Sequence, residues 1–105
     1  MSLAINSAAD FEREVLGATG QVFAFFTAKW CPYCRIQAPR IEELASKLNF
    51  TLAMVDVDAA AGVDDRYDVQ TIPSLLVFKE GKLCAREMVA YMQPHELEQW
   101  VQAQL

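Results

Sequence analysis

The stretch Val22-Phe23-Ala24-Phe25-Phe26, followed after three residues by Trp30-Cys31-Pro32-Tyr33-Cys34, decides the fold of this chain. An unbroken apolar run of this kind is typical of a central strand that is buried on both faces. The Cys-Pro pair then predicts a helix start, since proline is favoured at the first helical position, where a backbone N–H would have no partner. The two cysteines therefore form a dithiol at a strand-to-helix junction, and such a pair can open and close as a disulfide.

Length, composition and charge indicate which classes of protein this chain can belong to. At 105 residues, of which 53% are apolar and 22% charged, we expect residues 1–105 to form one compact domain with one hydrophobic core. The net charge of −5 argues against nucleic acid or an anionic membrane as a partner. No apolar stretch reaches the roughly 20 residues of a membrane span, and the start of the chain lacks a signal-peptide pattern. Three cysteines do not make a disulfide scaffold, which fits a reducing compartment, so we expect a cytoplasmic protein. We also expect it to be a monomer.

The pattern of apolar residues predicts strands that alternate with helices. This alternation, ending in a hairpin and a closing helix, indicates an α/β fold with a central mixed sheet and helices on both of its faces. The predicted elements are a helix from Ser7 to about Gly17, strand 22–26, a helix from Cys31 to about Leu48 that Pro39 should kink, strand 51–57, a short helix 64–67, strand 74–78, a hairpin strand 82–89 and a last helix opening at Pro94.

The two sulfurs of the dithiol are expected to have different chemical roles because they lie at different positions in the helix. The attacking species in disulfide exchange is the thiolate, and an ordinary cysteine is mostly protonated at neutral pH. Cys31 at the helix N-cap faces unpaired amides and the positive end of the helix dipole, which favour its thiolate form. Cys34 lies one turn further along and deeper. We therefore expect Cys31 to attack the substrate disulfide and Cys34 to resolve the mixed disulfide.

Two structural interpretations of the cysteine pair compete with redox chemistry. Cys31 and Cys34 could be half of a zinc site that Cys84 and His95 complete, although no second CxxC or paired-histidine spacing supports one. A purely structural disulfide is disfavoured because such a short ring constrains little of the unfolded chain. If it is not a metal ligand, Cys84 is expected to be a small apolar residue of the hairpin.

Several motifs together resemble the thioredoxin family from Leu3 to Leu105. They are Ala28-Lys29-Trp30-Cys31, the helix proline Pro39, Val55-Asp56-Val57-Asp58, Tyr67-Asp68-Val69 and residues 71–81, Thr71-Ile72-Pro73-Ser74-Leu75-Leu76-Val77-Phe78-Lys79-Glu80-Gly81.

The resemblance implies a thioredoxin fold and a thiol-disulfide oxidoreductase that acts on protein disulfides. Pro73 would be a cis-proline packed against the dithiol, and Ile72 would offer its backbone to an extended substrate segment. Trp30, Pro32 and Tyr33 would form the substrate-binding rim. Electrons would come from a thioredoxin reductase or from glutathione, and the cycle would need no metal or organic cofactor.

The chain also departs from the family pattern. Pro32-Tyr33 stands where thioredoxins usually have Gly-Pro, and this glutaredoxin-type pair implies a more oxidising potential. Phe25 replaces the usual buried aspartate, and Met54 replaces a nearby lysine. We expect this exchange to add stability and to slow the deprotonation of Cys34. Val89 replaces a glycine and is expected to narrow or reshape the substrate groove.

Two other functions remain open at this stage. One is a glutathione-dependent, glutaredoxin-like enzyme, which could hold an iron–sulfur cluster through Cys31 across a dimer. The glutaredoxin glycine pair that helps to hold glutathione has no counterpart in Met88-Val89-Ala90-Tyr91. The other is a non-catalytic interaction module with a thioredoxin fold, against which the intact cysteine pair argues.

Overall fold

A five-stranded mixed sheet forms the centre of the molecule, in the strand order β1-β3-β2-β4-β5. The structure is a computed structural model that describes residues 2–105. Its elements are β1 (Ser2–Ile5), α1 (Ala8–Phe11) with a π-helical continuation (Glu12–Leu16), β2 (Gln21–Thr27), α2 (Pro32–Leu48), β3 (Thr51–Asp56), α3 (Val63–Arg66), β4 (Ser74–Lys79), β5 (Lys82–Met88) and α4 (Pro94–Gln104). The expected α/β fold with a mixed central sheet is confirmed.

Strand β2 separates two hydrophobic cores, because its successive side chains point to opposite faces. It pairs in parallel with β3 and antiparallel with β4, so both of its edges are covered. Val22, Ala24 and Phe26 pack in one core, with buried side chains of α1, its π-helical continuation and α3. Phe23 and Phe25 pack in the other, with buried side chains of α2 and α4. The predicted central strand is therefore confirmed.

Strand β1 was not expected from the sequence. Its four residues pair in parallel with β3, from Ser2 opposite Leu52 to Ile5 opposite Val55. A strand this short carries too few residues to show an alternating pattern, and only pairing with a distant segment makes it a strand. The other predicted elements are present with ends shifted by a few residues, and Pro39 lies inside α2 without ending it. Among residues 2–105, no helix has both the length and the apolar character needed to cross a membrane.

Phe25 and Met54 are direct neighbours in the sheet. The two residues are partners in the β2–β3 register, and Leu75 of β4 is opposite Phe25 on its other side. Phe25 is fully buried, and Met54 is partly buried against the same core. The position where the family carries a buried acid is therefore closely surrounded by apolar side chains.

Replacing Phe25 with aspartate should destabilise the fold severely. Phe25→Asp would place an uncompensated carboxylate among apolar groups, which costs about 3–5 kcal/mol of unfolding free energy. The matched variant Phe25→Leu loses only packing and should cost about 1–2 kcal/mol. Urea denaturation measures both changes, and equal losses for the two variants would contradict this account of the site.

Candidate active site

The N-terminus of α2 places the two cysteine sulfurs in different surroundings. Cys31 is the N-cap residue, with extended backbone, and Pro32 follows at the start of the helix. The Cys34 backbone N–H donates a hydrogen bond of 3.3 Å to Cys31 Sγ. Cys31 is 5% exposed and Cys34 is 1% exposed, so an incoming molecule reaches Cys31 first. Both cysteines are free thiols.

The loop before β4 closes over Cys31 from the sheet side. The Ile72–Pro73 peptide bond is cis, as the family resemblance implied. Cys31 Sγ lies 3.9 Å from the carbonyl oxygen of Ile72, to which the thiol can donate a weak hydrogen bond. Pro73 is buried, and its carbonyl accepts a hydrogen bond of 3.0 Å from Val89 N. Backbone atoms of the loop therefore lie next to the sulfur.

Aromatic side chains surround the exposed edge of the dithiol. Trp30 is 62% exposed, and its Nε1 donates a hydrogen bond of 2.8 Å to Asp58 Oδ2, which fixes the ring beside Cys31. Pro32 and Tyr33 are exposed in the first turn of α2. The Tyr33 ring meets Tyr91 edge to face, with 5.1 Å between the ring centroids. The predicted rim residues are therefore brought together on one surface.

The Cys34 thiol lies in surroundings that disfavour its ionised form. Burial is the main cause that raises the pKa of Cys34, and a hydrogen bond with the Cys31 side chain raises it further. Hydrogen bonds from the Thr27 side chain and the Ala28 backbone act in the opposite direction and stabilise the thiolate. The apolar residues Phe25 and Met54 predicted that Cys34 loses its proton slowly. A raised pKa of Cys34 lies in the direction of that prediction.

A pocket of about 290 Å³ borders Cys34 on the side away from the rim. Thr27, Lys29 and Asp56 contribute polar groups to its lining, and Met54 contributes an apolar one. The lining also includes Cys34 itself, and Asp56 supplies a carboxylate there, whereas Phe25 stands where the family pattern has its aspartate.

Removing the Thr27 hydroxyl should slow the resolving step. Thr27→Val deletes a hydrogen bond to the Cys34 thiolate, so the pKa of Cys34 rises further and less thiolate is present below that pKa. The rate at which Cys34 displaces a bound thiol should fall about three- to tenfold at pH 7, and its pH profile should move to higher pH. Quenched-flow measurement of mixed-disulfide decay from pH 6 to 10 checks this. Thr51→Val, at an exposed strand position, is the control; an unmoved profile for Thr27→Val would contradict the assignment.

A buried amide holds the active-site helix to the segment after β5. Gln37 is fully buried one turn beyond Cys34, and its Nε2 donates hydrogen bonds to Val89 O at 2.6 Å and Met92 O at 2.9 Å. Sequence reasoning missed this residue. The available signal was a polar side chain on the otherwise apolar stripe of α2, three residues after Cys34 and four before Ile41.

Gln37→Leu should lower stability because it leaves Met92 O without its donor and leaves Val89 O with only the Met92 N–H. An unsatisfied buried polar group costs about 1–3 kcal/mol, so we expect a loss of at least that size. Thermal unfolding measures it. Gln99→Leu makes the same exchange on the exposed side of α4 and should change the unfolding free energy by less than about 0.5 kcal/mol. Equal effects of the two substitutions would show that the Gln37 bonds contribute nothing.

The sequence predicted that Val89 narrows or reshapes the substrate groove, and the structure contradicts a direct narrowing by its side chain. Its side chain is fully buried in the core beneath α2 and α4 and does not reach the surface.

Cys84 is exposed on β5, and His95 is exposed in the first turn of α4. Within residues 2–105, no group of three or more His, Cys, Asp or Glu side chains is arranged to hold a metal ion.

Comparison with known proteins shows similarity over nearly the whole chain. The family model described as Thioredoxin matches residues 2–103. A thioredoxin from Rhodospirillum rubrum is 38% identical over 99 residues, which cover 92% of this chain and 94% of that protein. Thioredoxin C-2 from Corynebacterium nephridii is 35% identical over 94 residues, covering 86% and 87%. The X-ray structure of Fasciola hepatica thioredoxin superposes with a TM-score of 0.84 at 29% identity and covers 96% of this chain and 97% of that one.

Proposed function

The chain belongs to the thioredoxin family and is a thiol-disulfide oxidoreductase, and from this premise we propose that Cys31 attacks protein disulfides and Cys34 completes their reduction. The observation that carries the assignment is the hydrogen bond from Cys34 N to Cys31 Sγ. The Cys34 amide thus faces the attacking sulfur, and burial raises the pKa of the Cys34 thiol.

The proposed cycle has two exchange steps. The Cys31 thiolate attacks one sulfur of the substrate disulfide, forms a mixed disulfide and releases the other sulfur as a thiolate. Cys34 then loses its proton and attacks Cys31 Sγ, which releases the second substrate thiolate and leaves a Cys31–Cys34 disulfide. The substrate gains two electrons and two protons, and the protein dithiol is oxidised. No metal or organic cofactor takes part in either step.

The surface around Cys31 supports binding of an extended substrate segment. Ile72 and Pro73 place backbone atoms beside the sulfur, where a polypeptide could pair as an added strand. Trp30, Pro32 and Tyr33 supply an exposed rim that packs against its side chains. We assign substrate binding to these five residues.

Thioredoxin family proteins act on protein disulfides and are reduced by thioredoxin reductase. We propose that a reductase of this kind returns the electrons here and that the protein works as a monomeric single domain in the cytoplasm. The similarity over almost the full chain supports this proposal. Glutathione is the alternative donor.

Cysteine variants test the assigned roles. Cys34→Ser should accumulate a mixed disulfide with a protein substrate such as insulin, because no second thiol can displace it. Cys31→Ser should form none through the active site, and Cys84→Ser should behave as the parent protein because Cys84 lies exposed on β5. Mass spectrometry of the trapped species locates the bond. A trapped bond at Cys84 or Cys34, or equal trapping by both active-site variants, would overturn the assignment.

Insulin reduction coupled to a thioredoxin reductase, set beside a glutathione-coupled assay, separates the donors. We expect turnover with the reductase that Cys31→Ser abolishes. Turnover with glutathione alone would assign the glutaredoxin-like function instead. Activity in neither assay would favour a non-catalytic interaction module.

A further inference from the structure

Three exposed apolar side chains lie together beside the dithiol. Tyr33 is 46% exposed, Ile36 is 48% exposed and Tyr91 is 69% exposed. Tyr33 and Ile36 occupy the first two turns of α2, and Tyr91 lies in the segment between β5 and α4. Large apolar groups that cluster on a soluble protein mark an interaction site more often than isolated ones do.

These side chains line a pocket of about 370 Å³, which we call the tyrosine pocket. The edge-to-face contact of Tyr33 with Tyr91 forms its wall nearest the dithiol, because Tyr33 is only two residues after Cys31. Its full lining is Tyr33, Ile36, Arg40, Ala90, Tyr91, Met92 and Gln93. The pocket is therefore continuous with the surface on which disulfide exchange takes place.

Arg40 contributes a cation to the far side of the tyrosine pocket. Its Nη1 donates a hydrogen bond of 3.3 Å to Gln37 Oε1, and among residues 2–105 its guanidinium forms no ion pair. Arg40 follows Tyr33 by seven positions, which separates their backbones by about 10 Å along the helix axis. Since an extended polypeptide rises about 3.3 Å per residue, that distance corresponds to about three substrate residues.

The hydrogen bonds of Gln37 fix both sides of the pocket. The side chain holds Val89 O and Met92 O on the segment that carries Tyr91, and its amide oxygen accepts from Arg40. The pocket is thus held in shape before any ligand arrives, which reduces the ordering cost of binding.

We propose that the tyrosine pocket is a specificity subsite for the polypeptide that flanks the substrate disulfide. An aromatic or large aliphatic side chain near the attacked cysteine packs against Tyr33 and Tyr91, and a carboxylate about three residues further on pairs with Arg40. This inference rests on the proposed function and names a substrate class for it. Arg40 is the basic residue in the lining of the tyrosine pocket, so its position orients an acidic segment that binds there.

Four disulfide-looped peptides that differ at two positions test the subsite. The flanking residue is Phe or Ala, and the residue three positions further is Glu or Lys. Pre-reduced protein is mixed with each peptide, the reaction is acid-quenched, and the second-order rate constant is measured by chromatography. The Phe/Glu peptide should be reduced about ten- to fiftyfold faster than the Ala/Lys peptide.

Variants assign that preference to individual side chains. Tyr91→Ala should remove the preference for Phe, Tyr91→Phe should keep it, and Arg40→Glu should reverse the preference for Glu over Lys. Leu83→Ala and Lys82→Gln, on the exposed far end of β5, are the matched controls and should keep both preferences. All variants should reduce the small disulfide of 2-mercaptoethanol at the parent rate.

Several outcomes overturn the proposal. Rates within about twofold for all four peptides would show that the pocket selects nothing, given that each well-placed contact is expected to change the rate several-fold. Equal slowing of the peptides and the small disulfide by Tyr91→Ala would show a structural role instead. A dimer in sedimentation that Tyr91→Ala dissociates would assign the pocket to a second copy of the chain. If the parent protein reduces neither the peptides nor the small disulfide, the proposed function itself fails.

Discussion

The hydrogen bond from the Cys34 amide to Cys31 Sγ is the contact on which the chemistry of this protein depends. It exists because β2 ends at Thr27 and α2 begins at Pro32, which makes Cys31 the N-cap and leaves the amides of the first helical turn without backbone partners. The rest of the fold holds that junction in place. Strand β2 is paired on both edges, and α2 packs along one face of the sheet.

The two thiols share one small apolar cluster with Ala28 but differ in exposure and in hydrogen bonding. Cys31 is the more exposed of the two, its sulfur accepts from the Cys34 amide and lies next to the Ile72 carbonyl, whereas Cys34 is almost fully buried. Phe25 and Met54 extend that apolar character behind the dithiol, where the family usually has a charged pair. The Thr27 side chain and the Ala28 backbone then supply the hydrogen bonds that favour the Cys34 thiolate.

Gln37 links the stability of the fold to the shape of the substrate surface. A buried amide with two carbonyl acceptors couples α2 to the segment after β5, although the two segments are more than fifty residues apart in sequence. The same side chain contacts Arg40, so one residue organises both the wall and the charged side of the tyrosine pocket. Through the hydrogen bonds of Gln37, the segment that carries Tyr91 is held beside the active-site helix.

Local sequence patterns determined much of the architecture by themselves. The apolar run of β2, the Cys-Pro helix start and Pro94 at the start of α4 each reflect rules that act within a few residues, and the structure confirms them. The family resemblance supplied the cis geometry at Pro73, which the residues beside it could not specify.

Only the tertiary structure decided the features that depend on distant segments. Strand β1 exists through its pairing with β3, and Val89 is a core residue because the segment directly after β5 turns it into the core that α2 and α4 cover. Gln37 is buried because the segment after β5 brings two carbonyl oxygens to it, and Tyr91 meets Tyr33 for the same reason. Periodicity reports which side chains share a face of one element, but it carries no information about which partner covers that face.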